Sequence, residues 1–178
     1  MSQSASTSPA NDDEFDISPY TSATLRLDMN IKFSGRTPAE VFDVMGDPER
    51  ITDWYLLAKE VQMLPPGDDG SSNFDVVFTF FGQVHEEILH WDMPRRYVYK
   101  AIGDEFPIKD YVALIDIQET GAGEGIMIWR QYFDNIEGEH NQRILPVILP
   151  LINQVSLERL APLIGGTAVE VVDHFQSE

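Results

Sequence analysis

The order in which strand-like and helix-like stretches follow one another restricts this chain to few architectures. Residues 24–33 alternate cleanly, with Leu25, Leu27, Met29, Ile31 and Phe33 on one side and Arg26, Asp28, Asn30 and Lys32 on the other, the pattern of a half-buried strand. Thr37-Pro38-Ala39-Glu40 then forms a capping box with proline at the first helical position, and Val41, Phe42 and Met45 supply the buried stripe. Asp47-Pro48 repeats the device and opens a second short helix to about Trp54, with a break near Gly46. A series of β-runs follows at residues 59–64, 74–80, 83–91, 96–102, 110–118 and 126–134. Turn-forming stretches separate them at Pro65-Pro66-Gly67 and 68–72, at Asp92-Met93-Pro94 and around Gly121 to Gly125. Phe81-Gly82 is expected as a two-residue hairpin loop. The glycine cluster lies between strands, so it reads as a turn and not as a phosphate cradle. Residues 141–164 form one long apolar helical segment interrupted by Pro146, Pro150 and Pro162. Gly165-Gly166 stops it, and Thr167 is expected to cap a last helix to about Phe175. An α+β fold follows, in which a single long helix covers the dry face of an antiparallel sheet. Such a pair encloses a hollow more readily than a solid core.

At 178 residues the chain fits one domain. Twelve basic residues against 30 acidic ones give a net charge of −18, which repels nucleic-acid backbones and anionic headgroups. Carboxylates this dense fit a saline setting. There is no cysteine, so disulfides, thiolate catalysis and zinc–cysteine sites are excluded. The stretch 1–16 is rich in Ser, Ala and Asp, lacks the basic and apolar regions of a signal peptide, and reads as a flexible acidic tail. The tail is taken to run over residues 1–22, with the folded domain at 23–178 and a cytoplasmic location. Residues 144–164 are apolar enough to resemble a membrane span, but their prolines and Asn153, Gln154, Glu158 and Arg159 favour a buried helix and no integral membrane association.

Val41-Phe42, then Asp47-Pro48-Glu49-Arg50 with Trp54, and then Trp91-Asp92-Met93-Pro94-Arg95-Arg96 resemble the START-like superfamily, in particular its polyketide cyclase/dehydrase and lipid transport group with the helix-grip fold. The resemblance runs from about Thr24 to the end of the chain. It implies a curved antiparallel sheet wrapped around a long C-terminal helix, with two short helices after the first strand and a cavity beneath the long helix. Carriers, hormone binders, aromatases and cyclases all use that cavity, so the fold alone does not choose among them. Met93 stands where the group often has a second proline. No universal catalytic motif exists to carry over.

Strand parity proposes which side chains face the cavity. In 74–80 the apolar set is Phe74, Val76, Phe78 and Phe80. With Phe81-Gly82 as the loop, their partners Gln83, His85, Glu87 and Leu89 share the inward face, followed by Trp91. Arg96, Lys100, Asp110 and Asp116 facing water turn Tyr97, Tyr99, Ala101, Tyr111, Ala113, Ile115 and Ile117 inward. On the last strand Met127, Trp129, Gln131 and Phe133 are the inward set. The candidate ligand-binding residues are therefore Trp54, Phe78, Tyr97, Tyr111, Trp129, Gln131 and, from the helix, Asn153.

His85 and Glu87 lie two apart on one strand, about 6.5–7 Å between their backbones. With Tyr99 they form a candidate acid–base set, the imidazole as general base and the tyrosine polarising a carbonyl. The alternative is a polar pair near the cavity mouth or in solvent. His85 and His90 are one residue too far apart for the helical H-E-x-x-H zinc motif and are expected on opposite faces of a strand. No motif demands a cofactor or metal, and no nucleophile elbow is present. The first expectation is a protein that holds a hydrophobic small molecule, such as a lipid, isoprenoid or polyketide-like compound. The second is a cyclase, dehydratase or aromatase using the same cavity. A third, a partner-binding module, needs a long exposed apolar patch, and none is evident outside the cavity wall.

Overall fold

The computed structural model describes residues 14–68 and 72–175. The expected tail at 1–13 and part of the turn at 68–72 lie outside the described residues. Strand β1 (Leu25–Ser34) leads into α1 (Pro38–Met45), a 3-10 turn (Pro48–Arg50) and α2 (Ile51–Trp54). Next come β2 (Ala58–Met63), β3 (Phe74–Phe78), β4 (Gly82–Asp92), β5 (Arg96–Ile102), β6 (Val112–Gly121) and β7 (Glu124–Tyr132). The long helix α3 (Glu139–Leu160) and a last strand β8 (Gly166–Asp173) complete the order. The strands form one antiparallel sheet in the order β2-β3-β4-β5-β6-β7-β1-β8. The two short helices start where the sequence places them. The Thr37 hydroxyl accepts from the Glu40 N–H, the Glu40 carboxylate accepts from the Thr37 N–H at 2.8 Å, and the Asp47 side chain accepts from the Glu49 N–H.

On the concave face, Leu27, Met29, Ile31, Ile115, Ile117 and Met127 pack towards Leu145, Leu157 and Leu160 of α3. Two tethers hold the helices in place. The Leu56 N–H donates to the Ser156 hydroxyl at 3.0 Å, and the Tyr97 hydroxyl donates to the Met45 carbonyl at 2.7 Å. The helix α3 runs continuously through Pro146 and Pro150. Its opposite side carries Ile144, Val147, Leu151 and Val155 exposed. The segment therefore buries one side only, because a helix lying on one sheet has one sheet to face.

The end of the chain differs from the expectation. Residues 167–175 do not form a helix: Gly166–Asp173 is β8, paired with the free edge of β1 through Ile31↔Val169 and Met29↔Val171. Thr167-Ala168-Val169-Glu170-Val171-Val172 is rich in β-branched residues, which a pleated surface accepts better than a short helix does. Gly165, at φ +72°, makes the reversal that an L side chain resists, and the Thr167 hydroxyl donates to the Lys32 carbonyl instead of capping a helix.

The convex face is also partly dry. Residues 14–22, expected as the end of a tail, lie against it. Phe15, Ile17 and Tyr20 pack on Val98, Val112, Leu114 and Tyr132, and the Tyr20 hydroxyl meets His90 Nδ1 at 3.0 Å. Arg96 and Asp116 do point away from the core, yet this cover buries both. They form an ion pair at 3.2 Å, and the Arg96 guanidinium lies 4.7 Å from the centre of the Phe15 ring. Phe15→Ala removes that ring and is expected to cost about 1–2 kcal/mol of stability, from lost burial and the lost cation–π contact. Urea denaturation checks it, and an unchanged midpoint would show that the segment adds nothing.

Candidate functional site

The turn between β3 and β4 determines what the interior contains. Phe78 pairs with Gly82, Val76 with Val84, Asp75 with His85 and Phe74 with Glu86. The loop is therefore three residues, Thr79-Phe80-Phe81, closed by Gly82 at φ +64°, a common hairpin form with a left-handed residue after the turn. The expected two-residue loop is one residue short. That single step turns over every side chain of β4 up to Leu89. Val84, Glu86 and Ile88 face inward. Gln83, His85 and Glu87 face outward, and Phe80 is exposed at the loop.

His85 and Glu87 are therefore not in the cavity. His85 Nδ1 meets the Asp75 carboxylate at 2.8 Å, and Glu87 pairs with Lys100 at 2.8 Å, both on the convex face. A bulge follows: Ile88 pairs with Tyr99 and His90 with Val98, leaving Leu89 over. The bulge returns Trp91 to the concave side opposite Tyr97. It also places His90 on the same face as His85, not on the opposite one.

The cavity lies between the concave face of the sheet and the helices, and its volume is about 80 Å³. That is several times the room one ordered water requires, roughly 10–15 Å³. Strand β4 contributes Val84, Glu86 and Ile88, and β5 contributes Tyr97, Tyr99 and Ala101. Tyr111, Ile115, Trp129 and Gln131 complete the sheet wall, while Trp54, Tyr55 and Leu149 come from the helical side. Phe78 lies on the wall as well. The structure thus brings together Trp54, Phe78, Tyr97, Tyr99, Tyr111, Trp129 and Gln131 of the sequence candidates. Asn153 is fully buried behind the wall, where its side-chain N–H donates to Gln131 Oε1 at 3.3 Å. It positions Gln131 and does not line the cavity.

Rings dominate this wall. Trp54 and Trp129 meet edge to face at 5.8 Å, and Tyr55 touches Phe78 at 5.6 Å and Trp129 at 6.1 Å. Trp91, Tyr97, Tyr99 and Tyr111 form a row with centroid separations of 5.5, 5.9 and 6.2 Å. Such edge-to-face and tilted contacts fix how these large side chains are oriented.

Glu86 is the polar cavity residue that the sequence reasoning missed. Its carboxyl borders the hollow, so it keeps some accessible surface while protein surrounds it beyond. Burial pushes its pKa from the ordinary 4.5 up to about 8, because the charged form is deprived of water and, among the described residues, no hydrogen bond or opposite charge compensates. Ala101, directly across on β5, leaves room beside it. Burial, with the Glu86 charge adding to it, also raises the pKa values of Tyr55, Tyr97, Tyr99 and Tyr111. All four hydroxyls therefore remain protonated donors. The Tyr97 hydroxyl is already occupied by the Met45 carbonyl. A signal for Glu86 existed: in His85-Glu86-Glu87 one carboxylate faces inward in either register, and Gly82 favoured the left-handed closing position.

The chain belongs to the polyketide cyclase/dehydrase and lipid transport family, whose model matches residues 24–165. The match ends just before β8. Three solved structures share the helix-grip fold. A conserved protein from Geobacillus kaustophilus is 15% identical with a TM-score of 0.64, over 83% of this chain and 99% of that one. A START superfamily protein from Mycobacterium smegmatis is 11% identical with a TM-score of 0.57, over 79% and 94%. A truncated norcoclaurine synthase from Thalictrum flavum is 14% identical with a TM-score of 0.56, over 82% and 94%. No curated protein matches the sequence.

Two outcomes follow from this geometry. Tyr97→Phe leaves the buried Met45 carbonyl without its donor and is expected to cost about 1–2 kcal/mol, measured by urea denaturation; no change would mean that the tether is idle. Glu86 holds its proton to about pH 8 in the folded chain but only to about 4.5 when unfolded. Between those values the folded state binds more protons, so this group makes stability fall as pH rises to about 8 and leaves it level above. Relative to the native chain, Glu86→Gln is expected to gain stability between about pH 5 and about pH 8.5. A stability difference that does not change with pH would contradict the burial of this carboxyl.

Proposed function

We propose that the protein binds a hydrophobic small molecule in the cavity under α3, with the polar end of the ligand at Glu86. The observation that carries this reading is a ring-lined hollow beneath the helices with one carboxyl bordering it. Ligand sites of this kind combine an apolar lining with a few placed polar groups. Membership in a family of cyclases, dehydrases and lipid transporters supports the same reading. Among lipids, isoprenoids and polyketide-like compounds, the rings on the wall favour a compact ring system over a long acyl chain.

A second reading, acid–base chemistry on the bound molecule, is favoured by one observation. Glu86 is protonated at neutral pH, and a carboxylic acid poised near the working pH can both donate and accept a proton. Tyr111, whose hydroxyl accepts from Tyr99, stands beside it as a further donor. In this reading Glu86 takes the role expected of His85 and Glu87, whose side chains lie on the other face of the sheet.

The test is uptake of the neutral fluorescent probe 1-N-phenylnaphthylamine. Its emission is expected to rise on mixing with the native protein. Ala101→Phe, which fills the space opposite Glu86, is expected to weaken uptake by about tenfold or more, roughly the 1.4 kcal/mol that a decade of affinity represents, with the thermal midpoint checked in parallel. Native protein that leaves the probe dark, or a folded Ala101→Phe variant that binds it unchanged, would contradict the assignment of this cavity.

A further inference from the structure

The charge on the cavity wall is one-sided. Glu86 lines it, and among the described lining residues there is no lysine, arginine or histidine. Among the described residues, the titratable groups that face Glu86 are the four tyrosines: Tyr55 after α2, Tyr97 and Tyr99 on β5, and Tyr111 before β6. Its direct cross-strand neighbours are Phe74 and Ala101, which carry no charge. Burial is what raises its pKa among the described residues. A carboxylate taken out of water with nothing to balance it is costly, so within this protein the balance comes from a proton or from whatever enters the cavity.

The rest of the wall favours the same sign of charge. The faces of the Trp91, Tyr97, Tyr99 and Tyr111 rings are electron-rich and attract cations. The whole chain carries −18, a field that draws cations in and holds anions off. A neutral ligand gains burial only, and an anionic one meets repulsion from carboxylate, ring faces and net charge together.

Resting on the binding reading above, we propose that the cavity selects an organic cation: a protonated amine on a compact apolar body, its ammonium group paired with the Glu86 carboxylate and its body against the rings. Binding exchanges one proton. The carboxylic acid of the empty site releases its proton to solvent, and the resulting carboxylate pairs with the ammonium. Affinity for the amine therefore rises with pH while the empty site is protonated, and levels off once it is not.

The experiment compares 3-phenylpropylamine, 3-phenylpropan-1-ol and 3-phenylpropionate, with 1-N-phenylnaphthylamine as the neutral control. Intrinsic tryptophan fluorescence reads the result, since Trp54, Trp91 and Trp129 all line the cavity. Salt at about 0.3 M screens the acidic surface. At about pH 8.5 the native protein is expected to bind the amine about tenfold or more tighter than the alcohol, with the carboxylate weakest. Glu86→Gln is expected to lose the preference for the amine over the alcohol. In the native protein, amine affinity is expected to climb between about pH 6 and about pH 8 and then flatten, while alcohol affinity does not climb. Equal binding of amine and alcohol, or a preference that survives Glu86→Gln, overturns the cation proposal and leaves the binding reading standing. Failure of all four compounds overturns both. If Glu86→Gln does not fold, the pH profile of the native protein decides alone, and a flat profile for the amine contradicts the proposal.

Discussion

The pairing of Phe78 with Gly82 sets the chemistry of the interior, because side chains along a strand alternate between faces without exception until a bulge intervenes. With three residues in the loop, Glu86 enters the hydrophobic side of the sheet and its neighbours His85 and Glu87 remain on the other. With two residues the reverse would hold, and the cavity would contain a histidine–glutamate pair beside the tyrosines. Gly82 stabilises the longer loop by taking the left-handed conformation at its closing position. Everything argued about the cavity descends from that turn. The Leu89 bulge then restores Trp91 to the inside, so the aromatic row along β5 gains its fourth ring.

Both faces of the sheet do work. The concave face carries the main core near α3 and opens into the cavity farther along. The convex face would expose Val98, Val112 and Leu114 if residues 14–22 did not lie across it. That cover explains how Arg96 and Asp116 persist away from water: each has the other as partner, and the Phe15 ring closes over the guanidinium. A buried ion pair of this kind adds little net stability by itself and becomes costly when one partner is lost. Its value here lies in joining β5 to β6 under the N-terminal cover.

Much of this was legible in the sequence. The alternation in β1, the capping box at Thr37 and the Asp47-Pro48 start each signal through local chemistry, and each element stands where its residues place it. Inward parity on β5, β6 and β7 was readable too, since charged residues at alternate positions mark the wet side. The β3–β4 register was not. Phe74, Val76, Phe78 and Phe80 continue the apolar alternation past the end of the strand, so the pattern cannot show where pairing stops and the loop begins. The last strand is concealed for a similar reason: Thr167 after two glycines offers a helix cap, and only the unpaired edge of β1, a long-range feature, decides for a strand. The exposed stripe on α3 was hidden because an apolar helix reads as buried on all sides until the number of surfaces available to it is known.

The central claim is that one uncompensated carboxyl stands inside a ring-lined hollow. Carbon-13 NMR of the protein labelled at its glutamate side chains tests it directly, with Glu86→Gln identifying the resonance. The Glu86 carboxyl is predicted to titrate near pH 8, well separated from the glutamates exposed to water. A Glu86 resonance that titrates with the others, near the ordinary value of 4.5, would contradict the account.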